Sequence, residues 1–255
     1  MKLRDRNVWL IGASSGIGAE LVPRLAAEGA RLTISARGKA ELQRLADAEA
    51  VAGRSVTVRQ VDVTEAGALE RVAGEIAAAG GPVDVLIYGA GQWQPVEVDE
   101  WDAASIENQI TVNYVGFVRA LGAVLPQMVA RHSGDIVGIA SVGGYAGFPR
   151  AEAYGSAKAA MIALLQSLRM DLRKHGVGVV TINPGFVDTP LTRKNDFPMP
   201  FLMSSPTAAD RIMKGLLSGE REIHFPKRLT WTLKLVTALP DPVYERVASR
   251  FMARG

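Results

Sequence analysis

The sequence predicts an α/β fold, a doubly wound parallel sheet with helices on both faces. Three observations lead there. Short apolar runs alternate with helical patterns of ten or more residues over the first 182 positions, the rhythm of βαβ units. The runs are almost continuously apolar, as parallel strands covered on both faces must be. A glycine-rich turn at 12–18 joins the first run to the first helical pattern, where such a sheet presents a helix N-terminus to a ligand.

Each element can be read in order. Residues 8–11, Val-Trp-Leu-Ile, form the first strand and stop at Gly12. Residues 17–28 carry Leu21, Val22 and Leu25 at helical spacing and end before Gly29. A strand at 31–36, a helix at 40–51 and an alternating strand at 55–61 follow. Residues 65–79 are helical up to the breaker Gly80-Gly81-Pro82, and 83–87 are a buried strand. A long helical pattern covers 101–131, then come strand 135–140, helix 154–174 and strand 178–182. Residues 184–206 are rich in Pro and Met and lack a period. They read as a long loop before the last helix, and loops of that length are often functional lids. The stretch 225–239 starts basic and turns apolar, with Trp231, Leu235 and Leu239 on one helical face, and breaks at Pro240 and Pro242. The chain is expected to form one domain over 1–255, with 190–210 as a substrate loop and 225–255 as a C-terminal extension.

Composition narrows the function classes. At 48% hydrophobic residues, 255 positions support an ample core. Cysteine is absent, which excludes disulfides, thiolate zinc sites and cysteine nucleophiles. His132, His175 and His224 have no metal-ligand spacing and read as surface or loop residues, so no metal is expected. The charged start and the four-residue apolar run after it read as a strand rather than a signal peptide. No apolar run reaches the roughly 18 residues of a membrane span, and the expected location is the cytoplasm. The net charge of +3 is uneven, with 11 Lys/Arg against 6 Asp/Glu from position 190 onward. That favours an anionic partner but is too diffuse, and too free of motifs, for nucleic acid. The plain reading of the basic tail is a cover for the substrate site or a subunit contact. The sharper one places Lys227, Arg228 and Lys234 against anionic headgroups of a membrane surface.

Two constellations carry chemistry. In the first, Gly12-Ala13-Ser14-Ser15-Gly16-Ile17-Gly18, glycines allow a tight turn and a close backbone approach to phosphate. At the end of the second strand, NAD-binding proteins usually place an acid for the ribose 2′-hydroxyl. This chain has Ser35-Ala36-Arg37. Arg37 can pair with a 2′-phosphate by charge-assisted hydrogen bonds, with Ser14 and Ser15 adding hydroxyls, so NADP(H) is the expected cofactor and NAD(H) the second choice. The second constellation is Tyr154 and Lys158, one helical turn apart. A phenol titrates near ~10, and a nearby ammonium lowers that value, which makes the pair a proton-transfer device.

Taken in order, these motifs resemble the short-chain dehydrogenase/reductase family over residues 6–189. The glycine turn matches the family's glycine motif, and Asp62-Val63 resembles the pair that contacts the adenine ring. Asn113, Ser141, Tyr154 and Lys158 resemble the catalytic tetrad. Ala90 and Gly91 resemble the backbone passing the ribose, and the segment from Pro184-Gly185 through Val187 to Thr189 resembles the one that holds the nicotinamide. One departure is Tyr88-Gly89-Ala90-Gly91 where the family usually has Asn-Asn-Ala-Gly.

The resemblance implies an NADP(H)-dependent oxidoreductase that reduces a carbonyl or oxidises the matching secondary alcohol. Ser141 would orient the substrate oxygen, and Tyr154 would exchange a proton with it. Lys158 would tune Tyr154 and bond the nicotinamide ribose, and Asn113 would hold a water in a relay to Lys158. It also implies a homodimer or homotetramer built through helices 104–131 and 154–174. A pocket of Gln92, Trp93, Val142, Gly143, Tyr145, Phe148, Phe186, Met199, Phe201, Leu202 and Met203 would suit a hydrophobic small molecule. Three other readings compete. A non-catalytic NADP(H)-binding sensor need not keep Ser141, Tyr154 and Lys158 together. An oxidoreductase of a membrane-associated, lipid- or steroid-like substrate would use the basic tail. An epimerase or dehydratase usually needs more than the 66 residues that follow Thr189.

Overall fold

The computed structural model describes residues 1–252. In chain order the strands are β1 (Asn7–Ile11), β2 (Arg31–Ser35), β3 (Val56–Val58), β4 (Val85–Tyr88), β5 (Gly134–Ile139), β6 (Val177–Pro184), β7 (Val187–Asp188), β8 (Met203–Ser204) and β9 (Glu222–Phe225). The helices are α1 (Gly16–Ala27), α2 (Lys39–Val51), α3 (Ala68–Gly80), α4 (Ala103–Ile110), α5 (Gly116–Ala130), α6 (Glu152–Asp171), α7 (Ser205–Ser218), α8 (Lys227–Val236) and α9 (Asp241–Met252). Seven parallel strands form one sheet in the order β3-β2-β1-β4-β5-β6-β9. The order reverses between β1 and β4, and a crevice opens at such a switch point beyond the C-terminal ends of the strands.

Successive side chains of a strand point to opposite faces, so β1 feeds two cores. Val8 and Leu10 join Leu21, Val22 and Leu25 of α1, Leu42 of α2 and Ile212 and Leu216 of α7. Trp9 and Ile11 join Leu69, Val72 and Ile76 of α3, Phe117 and Val124 of α5 and Met161 and Leu165 of α6. Trp9 is fully buried, and its indole N–H donates to Ser35 Oγ at 2.9 Å, so its own polar group is not stranded.

Several elements differ from the sequence reading. A seventh strand, β9, pairs with β6 from Thr181↔Glu222 to Pro184↔Phe225; it has only four residues, and Glu222 and His224 mask it. The third strand shrinks to three residues, and the expected loop 184–206 contains the two-residue pair β7–β8. The helix expected at 65–79 starts at Ala68, after Gly67 in the left-handed region at φ 75°. Pro242 sits in the first turn of α9, a helix the breaker reading missed.

The long pattern at 101–131 is continuous from Ala103 to Ala130 but carries a π turn at Thr111–Val115. It is the one described helix long and apolar enough to cross a membrane, contrary to the expectation of none. Its Phe117, Ala120, Val124 and Met128 are buried in the second core. Two charged expectations also change. His224 is 7% exposed rather than on the surface, and its Nδ1 lies 2.6 Å from Thr230 Oγ1. Lys234 does not face outward, because its Nζ donates to Glu222 Oε1 at 2.8 Å. That removes one cation from the proposed headgroup contact.

Candidate active site

The crevice is a cavity of about 800 Å³, and both constellations open into it. Gly12, Ser14 and Ser15 after β1, with Gly16, Ile17 and Gly18 of the first turn of α1, form one wall. Gly12 has φ 89°, and a Cβ there would strike the Ala90 backbone; only glycine lets the two crossing loops meet. Ser15 caps α1 without a side-chain hydrogen bond, and the first turn of α1 holds no acid. The helix dipole and its free N–H groups are therefore open to an anion.

At the β2 edge Arg37, Asp62 and Val63 line the same cavity. Arg37 is exposed and makes no ion pair among the described residues. Burial raises the Asp62 carboxyl, but two hydrogen bonds from Thr64 and the Arg37 charge outweigh it and hold the group below its ordinary value. Asp62 thus stays ionised, with both contacts from Thr64 to one oxygen, Oδ1. Ala90 and Gly91 in the loop after β4, and Pro184, Gly185, Val187 and Thr189 in the segment from the end of β6 past β7, complete the lining of this part.

Ser141, Tyr154 and Lys158 also line the cavity. Ser141 follows β5 by two residues and caps the turn Val142–Gly144, where its Oγ accepts from Gly143 N at 3.1 Å. The turn Val142–Gly144 lies flat on α6, since a Cβ at Gly144 would come within 2.6 Å of the Lys158 backbone. That packing brings the serine hydroxyl to the tyrosine, and both lie 3.4 Å from the Cβ position of Gly143. Lys158 is 3% exposed, with Nζ donating to Ile139 O at 2.9 Å and lying 5.6 Å from the Tyr154 ring centre. Trp93 meets the Tyr154 ring edge-on, with centres 5.4 Å apart, and its Nε1 donates to Asn195 Oδ1 at 2.7 Å.

Electrostatics correct one expectation. The Tyr154 phenol is raised, not lowered, because burial dominates and a hydrogen bond with Ser141 pulls back only part of the way. Lys158 is lowered to about 8 by burial. Spacing along a helix foretells proximity of the pair but not the dryness of the site, and dryness disfavours both charged forms.

Asn113 is fully buried in the π turn and does not line the cavity. Its Nδ2 donates to Gln92 O at 2.7 Å and Gln109 O at 2.8 Å. Its Oδ1 lies 3.2 Å, and Lys158 Nζ 4.0 Å, from the Cβ position of Gly91, so the two side chains flank one glycine. Gln109 also accepts from Gln94 N at 2.9 Å through Oε1. Sequence reading passed over it, although its position four residues before Asn113 was the available signal.

Of the expected substrate pocket, Gln92 and Trp93 line the cavity. The others do not. Tyr145 turns away, its hydroxyl 3.3 Å from Glu222 Oε1 and its ring under Lys234. Phe186 packs edge-on against Phe197, and Met199 receives Asn195 Nδ2. Phe201 and Leu202 are exposed, and Met203 begins the β8 pairing. Val142, Gly143 and Phe148 sit in the turn region after Ser141, outside the lining. Thr192 and Lys194 line it instead.

The geometry agrees with known proteins. The family model described as short chain dehydrogenase matches residues 6–198. A Myxococcus xanthus protein named as an oxidoreductase is 38% identical over 246 residues, 96% of this chain and 97% of that one. The structure of a short-chain dehydrogenase from Sphingobium yanoikuyae in complex with NADPH superposes with a TM-score of 0.81 at 28% identity, covering 98% of each chain. A Burkholderia phymatum short-chain dehydrogenase/reductase in complex with NAD shares the fold at a TM-score of 0.84 and 22% identity, over 92% of this chain and 94% of that one. A glycine turn and a Ser-Tyr-Lys cluster in one crevice of a seven-stranded parallel sheet are thus accompanied by sequence similarity over most of the chain, and the protein belongs to the short-chain dehydrogenase/reductase family of oxidoreductases.

Proposed function

We propose that the protein is an NADP(H)-dependent reductase of a hydrophobic carbonyl compound. One observation carries the reading: a single cavity joins the open N-terminus of α1 to Ser141, Tyr154 and Lys158. The residues present fit a nicotinamide dinucleotide. The α1 N-terminus suits the pyrophosphate, Asp62 and Val63 the adenine, and Gly91 and Lys158 the nicotinamide ribose. Arg37, exposed and without an ion pair among the described residues, suits a 2′-phosphate, although Glu41 also lines that end. Solved relatives in complex with NADPH and with NAD support the cofactor class. When bound, the nicotinamide supplies or accepts the hydride.

The protein's own residues handle the proton. Ser141 donates a hydrogen bond to the substrate oxygen and holds it beside Tyr154. A phenol kept protonated by burial suits the acid that reduction needs. As Tyr154 gives up its proton, the charged Lys158 stabilises the phenolate left behind. Asn113, buried beside Gly91, is assigned to positioning the groups that return a proton through Lys158. The substrate stands against Trp93, the apolar wall next to Tyr154.

Two expectations arise here. Lys158 is held at about 8, so kcat/KM for reduction is expected to be level below that pH and to fall above it as the ammonium is lost. Lys158→Met should remove that limb along with most activity, and a flat profile from neutral pH to well above 8 in the unaltered enzyme would contradict the role. Trp93→Ala should lower kcat/KM for bulky hydrophobic ketones about tenfold through lost apolar contact. NADPH affinity should not change, and a matching loss there would place Trp93 in the cofactor site. The reading as a whole is tested by a screen of aromatic, steroidal, 3-oxoacyl and sugar-derived carbonyls with NADPH and NADH in parallel. Turnover of at least one class, faster with NADPH, is expected; no turnover of any class would contradict the reading as a carbonyl reductase.

A further inference from the structure

We propose that Tyr88 is a positioning residue that holds the π turn and, through it, Asn113. The proposal rests on the assignment of Asn113 above. Tyr88 ends β4, is 0% exposed, and stands where the family usually has asparagine. Its ring packs against Phe117 of α5, with centres 5.3 Å apart, and the ring crosses the gap between sheet and helix. At its tip the hydroxyl donates to Val112 O at 2.6 Å.

That carbonyl is the one the π turn displaces from its usual partner. Gly116 N–H, four residues on from Val112, bonds instead to Thr111 O, five residues back. A buried carbonyl without a donor is costly, and here a side chain from the sheet supplies the donor. Val112 is adjacent to Asn113, so the same bond fixes the peptide that precedes Asn113. Gly116 completes the device, because a Cβ there would collide with the Tyr88 hydroxyl and lie 3.0 Å from Val63. An asparagine at position 88 is too short to span this distance, so the substitution at the sheet edge and the glycine in the helix belong together. π turns occur mostly as single bulges within α-helices, frequently at functional sites, and this one carries Asn113.

The test is a double-mutant cycle in the full-length protein. Tyr88→Phe keeps the ring and removes only the hydroxyl. It is expected to lower kcat about tenfold, with KM for the carbonyl and the NADPH dissociation constant, read by fluorescence, within about twofold. In an Asn113→Ala background the same change is expected to cost nothing further, because the group it positions is gone. Gly116→Ala, which displaces the hydroxyl from the other side, should reproduce the kcat loss. An Asn113→Ala variant of undiminished kcat removes Asn113 from the proton path, and Tyr88 with it. A slowed Asn113→Ala variant on which Tyr88→Phe imposes its full additional loss overturns the role of Tyr88 alone. Unchanged kcat in Tyr88→Phe, or a Tyr88→Phe protein that no longer binds NADPH, also overturns it, the latter by making Tyr88 a residue of the fold.

Discussion

Replacing Tyr154 with phenylalanine is expected to lower kcat for carbonyl reduction about a thousandfold, within the range of about 10² to 10⁴ that a positioned acid contributes. NADPH binding should stay within about twofold. The ring is held by its edge-on contact with Trp93 and by the packing of α6, neither of which needs the hydroxyl. The change therefore isolates one proton. A thousandfold is about 4 kcal/mol of transition-state stabilisation, more than the loss of an ordinary neutral hydrogen bond can explain. A loss under about tenfold would mean that the proton comes from elsewhere.

Replacing Arg37 with glutamate is the second large effect. It should raise KM for NADPH by about 50-fold or more and leave NADH within about twofold. Hydrogen bonds to a charged partner are worth about 1.5–3 kcal/mol, and the substituted carboxylate adds repulsion of a 2′-phosphate. Because Arg37 is exposed, the effect should shrink as salt is added. Initial rates with both cofactors at two ionic strengths check it. Equal KM changes for NADPH and NADH would show that Arg37 does not recognise the 2′-phosphate.

These predictions draw on parts of the sequence that were legible for different reasons. Strands β1, β2, β4, β5 and β6 and the helices α1 to α6 were readable because burial on both faces of the sheet leaves continuous apolar runs and leaves helices at a period of 3.6, and β3, at the sheet edge, was readable by its alternation. The glycine turn was readable because Gly12 and Gly18 are demanded by backbone contacts that no other residue permits. β9 was not, since Glu222 is held by Lys234 and His224 by Thr230, and such cross-chain partners leave no local pattern. The π turn has no signature either, because its cause lies 24 residues away in Tyr88. The substrate wall was misjudged at Tyr145 and Phe186 because nearness in sequence to Ser141 and Pro184 does not decide which way a side chain points. The direction of the Tyr154 shift was misjudged for a similar reason: helix spacing places the ammonium, whereas only the folded site sets how much water is excluded.

The central claim is that this crevice passes a hydride to a carbonyl carbon while Tyr154 supplies the proton to its oxygen. It is tested most directly with NADPH deuterated at the transferable C4 position and the best ketone from the screen, with the product read by mass spectrometry. The account predicts an alcohol carrying one deuterium on the carbinol carbon, made by the unaltered enzyme and at about a thousandth of that rate by Tyr154→Phe. An unlabelled alcohol, or labelled alcohol formed equally fast by Tyr154→Phe, would contradict it.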